Sequence, residues 1–325
     1  MHRHLCRELI LRYRSRMAIN NNAGAITSDA EPSKTEPRKR TTVASNQVAP
    51  SDLPDKPVVV IERRAVAPDL KELWAYRELL YFFMWRDVKV RYKQTVLGVL
   101  WVVLQPLLMM FIFAFLFGRV AGVKSDGIRY SLFAYAGLIA WTFFSHAVTS
   151  AGNSVVHSAS LISKVYFPRI IVPVAAVGAT LVDFAISFLP LALMMIFWRV
   201  RITPALLLLP IFIVIVVTLA LGVGMFMAAL NVKYRDVGLA LPFMLQIWFF
   251  ASPIIYPLNL FQGKLRWLLA LNPVAGIIDG FRVSLYGHKS FDWPAIGFAA
   301  FIAIAFLVFA MYHYKRVERE FADVV

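Results

Sequence analysis

The run Arg86-Asp87-Val88-Lys89-Val90-Arg91-Tyr92-Lys93-Gln94-Thr95 passes without a break into Val96-Leu97-Gly98-Val99-Leu100-Trp101, and Gln105-Pro106 interrupts the apolar segment that follows. A basic, aromatic-flanked helix is therefore predicted to end where a membrane span begins. Lysine and arginine beside a span keep that end on the cytoplasmic side and hold it against anionic headgroups. The chain is expected to lie along the membrane first and then to enter it. Charge alone fits an ordinary basic flank equally well, so the reading depends on the rest of the chain.

The rest of the chain is apolar. Its 325 residues are 59% hydrophobic with a mean hydropathy of +0.65, well outside the range of soluble domains. The apolar blocks are as long as the roughly 20 residues a helix needs to cross a bilayer core. Six spans are predicted, at about 96–117, 132–151, 170–198, 205–230, 237–255 and 293–312. The third would be roughly 43 Å long at helical rise, against a hydrocarbon core of roughly 30 Å, so it should tilt or project.

The formal net charge of +15 does not point to nucleic acid. Residues 1–68 hold twelve of the 34 Lys and Arg and seven of the 19 Asp and Glu, and the remaining excess is scattered over span ends. Anionic lipid is the expected partner of those charges. The single cysteine, Cys6, supports neither a disulfide framework nor a cysteine metal site. The first 20 residues are basic and have no continuous apolar core of a signal peptide, and Met17 is a second candidate start. Residues 1–68 read as a disordered basic and polar tail, with residues 69–325 as the membrane domain.

With six spans both termini share a side. Placing them inside puts twelve basic residues at the inner flanks and nine at the outer ones. Four of those nine fall in the segment after span five; without them the bias is clear, and the N-inside, C-inside topology follows.

Three segments are neither ordinary loop nor span. Residues 69–85 read as an amphipathic interface helix. Asp69 and Glu72 have capping-box spacing, and Leu70, Leu73, Trp74, Leu80, Met84 and Trp85 lie roughly on one face. Such a helix can anchor in headgroups or pack on cytoplasmic protein. Residues 153–169 are too polar to span, but Val155, Val156, Ala159, Leu161 and Ile162 suffice for a short amphipathic helix. That segment and the charged loop 231–236 are either connectors or docking surfaces. After span five come Ser252-Pro253-Ile254-Ile255-Tyr256-Pro257 and two short apolar runs, 267–271 and 274–285, separated by Asn272-Pro273. Neither run can cross a bilayer, so two re-entrant helices on the outer side are predicted. Irregular backbone at that depth is tolerated only in protein or beside a wet cavity, which favours a gate over a passive loop.

Taken together these residues resemble the transmembrane permease subunit of type 2 ABC exporters for O-antigen and polysaccharide (Wzm-like), related to teichoic-acid export permeases. The resemblance covers roughly 69–320. It rests on Arg86–Lys93 with Leu97-Gly98 and Trp101, on Lys164-Val165-Tyr166-Phe167-Pro168-Arg169, on Asn231–Asp236, on Ser252–Pro257 and on Leu271-Asn272-Pro273. It implies an all-α polytopic fold: six transmembrane helices, an N-terminal interface helix and gate helices after span five. It also implies a homodimer, two copies of a separate ABC ATPase, and a location in the bacterial inner membrane. The long tail departs from the family pattern.

No Gly-x-x-x-x-Gly-Lys-[Ser/Thr] occurs in the chain, so ATP and its Mg are expected to be bound by the partner, with no cofactor, metal or catalytic residue here. Ser154, His157, Ser160, Lys164, Tyr166 and Arg169 are the candidates for coupling to the ATPase. The substrate implied by the resemblance is a glycan on a polyprenyl pyrophosphate. Arg86, Lys89, Arg91 and Lys93 are candidates for its headgroup, with bulk anionic lipid the competing ligand. Tyr256, Trp267, Asn272 and Pro273 are candidates for the outer gate. Asp183, an acid well inside a span, is expected to find a polar partner within the bundle, and His146 to be a packing residue. Two rival readings differ in class. A proton-driven secondary transporter would need more than one intramembrane acid. A prenyl-phosphate glycosyltransferase would need clustered acids for a metal–diphosphate site, and Asp236, Asp279 and Asp292 stand apart in the sequence.

Overall fold

The protein is described from a computed structural model that covers Trp74 and residues 76–93, 98–123, 125, 127–162, 167–257, 260, 269, 271–287 and 289–318. The tail predicted over residues 1–68 and the Asp69/Glu72 pair lie outside these residues. The described residues are helical, without strands. In chain order they form α1 (Arg77–Tyr92), α2 (Leu100–Phe113, continued by a π-helix Ala114–Val120), α3 (Tyr130–His157), α4 (Ala159–Ile162), α5 (Ile171–Phe197), a 3-10 turn (Pro204–Leu208), α6 (Leu209–Lys233), α7 (Asp236–Phe250), α8 (Pro273–Tyr286) and α9 (Trp293–Glu318).

Among the described residues five helices are long and apolar enough to cross a membrane: Leu100–Val120, Tyr130–His157, Ile171–Phe197, Pro204–Lys233 and Trp293–Glu318. This is a multi-pass membrane protein. The least apolar span is the most enclosed. The span with the lowest mean hydropathy, α3 at 1.3, has 78% of its window buried, whereas α2, at 2.4, has only 11%. Polar atoms in a bilayer must find partners inside the protein, so the least apolar helix takes the centre. α3 packs on α5, α6, α2 and α8, and α6 packs on α9. Small residues allow the α3–α6 approach: a Cβ on Gly224 would lie 2.6 Å from that of Ala151.

The predicted fifth span, 237–255, is realised as the 15-residue helix α7, about 22 Å long at 1.5 Å per residue. The helix stops at Phe250, and residues 251–257 turn instead, with Pro253 and Pro257 unable to continue it. The second predicted span extends six residues further than expected, to His157. Gly152 and Ser154 are buried there, and Ser154 Oγ donates back to the Ala151 carbonyl at 2.7 Å.

The interface helix is also shifted. α1 runs on to Tyr92, past the predicted end at Trp85, and packs on α5. Phe83 is its buried centre, with Leu79, Leu80 and Met84 packed around it, whereas Trp74 and Trp85 are exposed. The face that docks on α5 is therefore narrower than the predicted apolar stripe.

Of the two short runs after span five, the second forms α8; of the first, 267–271, only residues 269 and 271 are described. Every α8 residue except Pro273 and Asp279 is buried. Its ends carry strong signals: Asn272 accepts from the Val274 N–H at 3.1 Å, Pro273 begins the helix, and Gly287 closes it at φ 56°. Gly280 rests on Phe212 of α6, and an added Cβ would fall within the ring's van der Waals envelope. Gly280→Ala is expected to destabilise by about 1–3 kcal/mol, measurable as an earlier thermal transition in detergent, with partial recovery on adding Phe212→Leu.

Candidate functional site

The foot of span one is where charge, burial and open space coincide. In α1 the Arg86 guanidinium bonds Asp87 Oδ1 at 2.8 and 2.9 Å and lies 4.9 Å from the Phe83 ring centroid. Lys89 and Lys93 are exposed. Arg91 instead turns toward α5 and pairs through Nη1 with Oδ2 of Asp183, while the Tyr92 hydroxyl donates to Oδ1. Burial, reinforced by the carboxylate, holds the Tyr92 phenol well above its ordinary pKa, so it stays a donor throughout the physiological range. Asp183 is 8% exposed, and these two donors satisfy both of its oxygens inside the bundle.

The pair forms part of the wall of a cavity of about 360 Å³ between α1, α2, α3 and α5. Gly98, Trp101, Val102, Gln105, His146, Thr149 and Ser150 complete its lining. A smaller recess of about 30 Å³ continues from Val102, Gln105, His146 and Asp183 toward Thr142, Thr180 and Ser187. Hydroxyl, amide, indole and guanidinium groups therefore line a pocket inside an apolar bundle. Most of the lining surface is still apolar, so the pocket sets groups able to bind an anion or a hydroxyl-rich ligand beside an apolar wall. Of these residues only Arg91 was named from sequence as a ligand group; Asp183 was expected to find a polar partner and His146 to pack. Gln105, Thr149 and Ser150 were missed, although a polar residue within an apolar run was visible at Gln105.

The coupling candidates separate. Ser154 is buried in the last turns of α3, His157 ends that helix in an exposed position, and Ser160 is exposed on the single turn α4. Within the segment 153–169, where a short helix is predicted, the described residues up to 162 are an extension of span two, a break at Ser158 and one further turn. Lys164 and Tyr166 lie outside the described residues. The Arg169 guanidinium donates to the Glu318 carbonyl at 2.7 Å and its backbone N–H to Glu318 Oε1 at 3.3 Å, while the Tyr314 hydroxyl donates to the Arg169 carbonyl at 3.1 Å. These bonds tie the start of α5 to the end of α9. A second tie was not foreseen. Buried Asn231 donates to the Gly152 carbonyl at 3.0 Å and to Asn153 Oδ1 at 2.9 Å, and accepts from the Gly238 N–H at 3.0 Å. It joins α3, α6 and α7 at one end of the bundle.

At the other end Asn272 accepts from the Trp248 indole at 3.1 Å and donates to Ser252 Oγ at 2.8 Å, in addition to capping α8. The Tyr256 hydroxyl donates to the Phe250 carbonyl at 2.9 Å. Trp267 lies outside the described residues. The anchor of this end is Arg282, which was counted from sequence among the outer charges. It is 2% exposed, lies 3.5 Å from the Phe133 ring centroid and donates to the carbonyls of Phe133, Pro253 and Ile254 at 3.1, 2.9 and 2.5 Å.

The family profile described as ABC-2 type transporter matches residues 78–286, from the first turn of α1 to the last residue of α8. The chain is a member of the ABC-2 type transporter family. This ABC-2 chain is 30% identical over 265 residues to an O-antigen export system permease protein of Myxococcus xanthus, covering 79% of its own length and 98% of the relative's. It is 28% identical over 251 residues to the protein of that name from Klebsiella pneumoniae, covering 76% and 95%. It is 23% identical over 242 residues to a polysialic acid transport protein of Escherichia coli, covering 72% and 91%. The ABC-2 match takes in both walls of the cavity, the Asn231 tie and the Arg282 anchor, so these features belong to the part of the chain shared with the family profile.

Proposed function

We propose that this chain is the membrane permease subunit of an ATP-driven exporter that moves a polyprenyl-pyrophosphate-linked polysaccharide, O-antigen-like, across the inner membrane. It would act as a homodimer on two copies of a separate ABC ATPase that binds ATP and Mg. Two of the relatives above carry the name of O-antigen export permeases, and nearly their whole length is matched. The observation that carries the reading is the cavity at the foot of span one, with its cluster of polar side chains on a largely apolar wall. A charged donor, hydroxyls and the Trp101 ring meet there, able to receive a phosphate headgroup and the first sugar faces. α1 would lie in the inner headgroup layer among anionic lipid. α7 with the turn 251–257 would complete a sixth crossing, leaving both termini in the cytoplasm. Asn272, Pro273, Tyr256 and Trp267 would belong to the outer gate. A proton-driven carrier is less well supported, because Asp183 is held by Arg91 and Tyr92 rather than placed on a chain of exchangeable acids.

Reconstitution of the chain with its ATPase partner tests the proposal. ATP-dependent movement of lipid-linked glycan into vesicles is expected, and movement driven by a proton gradient without ATP would overturn it. The coupling surface has its own test. His157→Glu with Lys164→Glu is expected to lower ATPase co-purification and export while leaving membrane insertion unchanged. Unaltered export and co-purification would reduce residues 154–169 to a connector.

A further inference from the structure

We infer that Asp183 is a resident stand-in for the anionic ligand of the cavity: a diphosphate enters by taking Arg91 away from it. The inference rests on the proposed reading of the cargo as a prenyl diphosphate and assigns its headgroup a binding mechanism. Arg91 and Asp183 both line the cavity, yet their side chains are unequally placed, the arginine 33% exposed and the aspartate 11%. The bond from Nη1 uses one of five guanidinium N–H groups, which leaves a fork able to meet a phosphate in bidentate fashion. The two Asp183 oxygens have separate donors, Arg91 on one and Tyr92 on the other. When the guanidinium swings to an incoming anion, the carboxylate therefore keeps the Tyr92 hydroxyl. Ser150 also lines the cavity and adds a hydroxyl donor for the newcomer, whereas the Thr149 hydroxyl is already donated to the Ser145 carbonyl at 2.8 Å.

This arrangement solves two problems at once. An empty site containing a bare guanidinium would be costly inside the membrane and would collect any phospholipid phosphate. A built-in carboxylate neutralises it and competes one-for-one with singly charged phosphodiesters. A diphosphate, with its higher charge, wins the exchange. Asp183 is then a specificity-determining residue, and removing its charge should make the site tighter and less selective.

The experiment measures equilibrium binding of radiolabelled farnesyl diphosphate to the full-length permease in detergent, with phosphatidylglycerol and inorganic pyrophosphate as competitors. Asp183→Asn keeps the shape and one acceptor oxygen, its amide N–H facing the Tyr92 hydroxyl oxygen or the guanidinium in place of the second, and removes the competing charge. It is expected to bind about tenfold more tightly than the wild type, as the loss of one opposed charged hydrogen bond implies. In that variant alone phosphatidylglycerol should also compete. Tyr92→Phe, which withdraws the donor that Asp183 retains after the exchange, is expected to weaken binding several-fold, and Arg91→Gln to abolish it. Opposite signs for Asp183→Asn and Tyr92→Phe support the exchange, because a purely structural network would weaken with either change. If Asp183→Asn binds no more tightly than the wild type, the exchange is wrong. Should that variant not fold, unchanged or tighter binding by Tyr92→Phe overturns it equally. Pyrophosphate competing as well as farnesyl diphosphate supports the exchange with a soluble anion as ligand. A wild-type protein that binds neither would sink the diphosphate reading of the cargo together with the inference. Binding by the wild type without the opposed signs removes only the exchange.

Discussion

Arg282→Met is expected to be among the most damaging single substitutions in this chain, costing about 3–5 kcal/mol of stability. Methionine approximates the volume and removes the fork. The carbonyls of Phe133, Pro253 and Ile254 would then lose their donor in a region where water does not replace it. Arg282→Lys should recover little, because one ammonium cannot reach three carbonyls in a fixed plane. Thermal unfolding in detergent, followed by size-exclusion, checks the magnitude. A cysteine at exposed Ser290, after removal of Cys6, reports the local consequence. Its labelling by an impermeant reagent from outside should accelerate when the anchor is lost. Wild-type unfolding in Arg282→Met would show that these bonds are replaceable.

Asn231→Ala should give the second largest effect, about 2–4 kcal/mol, because two donated bonds and one accepted bond are lost at a buried amide. Its functional signature is more specific than its stability cost. With the ends of α3 and α6 no longer joined to the start of α7, movement imposed at this end of α3 would not be passed on. The variant should keep its ATPase partner and hydrolyse ATP while exporting little. Loss of hydrolysis and export in parallel would instead mark Asn231 as a purely structural tie.

The bounds of α5 and α6 were legible in the sequence, because an apolar run longer than a bilayer core is itself the signal. Places where polar atoms satisfy one another inside the protein were not. Residues 152–157 lower the local hydropathy and read as the start of a separate short helix, yet α3 continues through them because α6 supplies partners such as Asn231. Arg282 reads as a surface charge; no periodicity reveals that three carbonyls and the space above Gly137, where a side chain would strike its guanidinium, await it. The same holds for the site. Arg91 was identified as basic and near the membrane, and Asp183 as an acid needing a partner. The bond between them spans 92 positions of sequence and had to be seen in space. The stripe of α1 shows the same limit: exposed Trp85 and buried Phe83 look alike to a hydropathy scale, which does not say which face packs on α5.

The Arg91–Asp183 pair also has a consequence for biogenesis. Span one is threaded into the membrane before the third span, which carries Asp183, has been made. In the proposed topology Arg91 lacks Asp183 during that interval and would count among the cations that keep the amino-terminal end from being translocated. Once α5 arrives and α1 settles on it, the same guanidinium is neutralised and no longer contributes to the surface charge. One residue thus serves first as an orientation signal and later as an internal counter-ion, with chain order setting the time of the change.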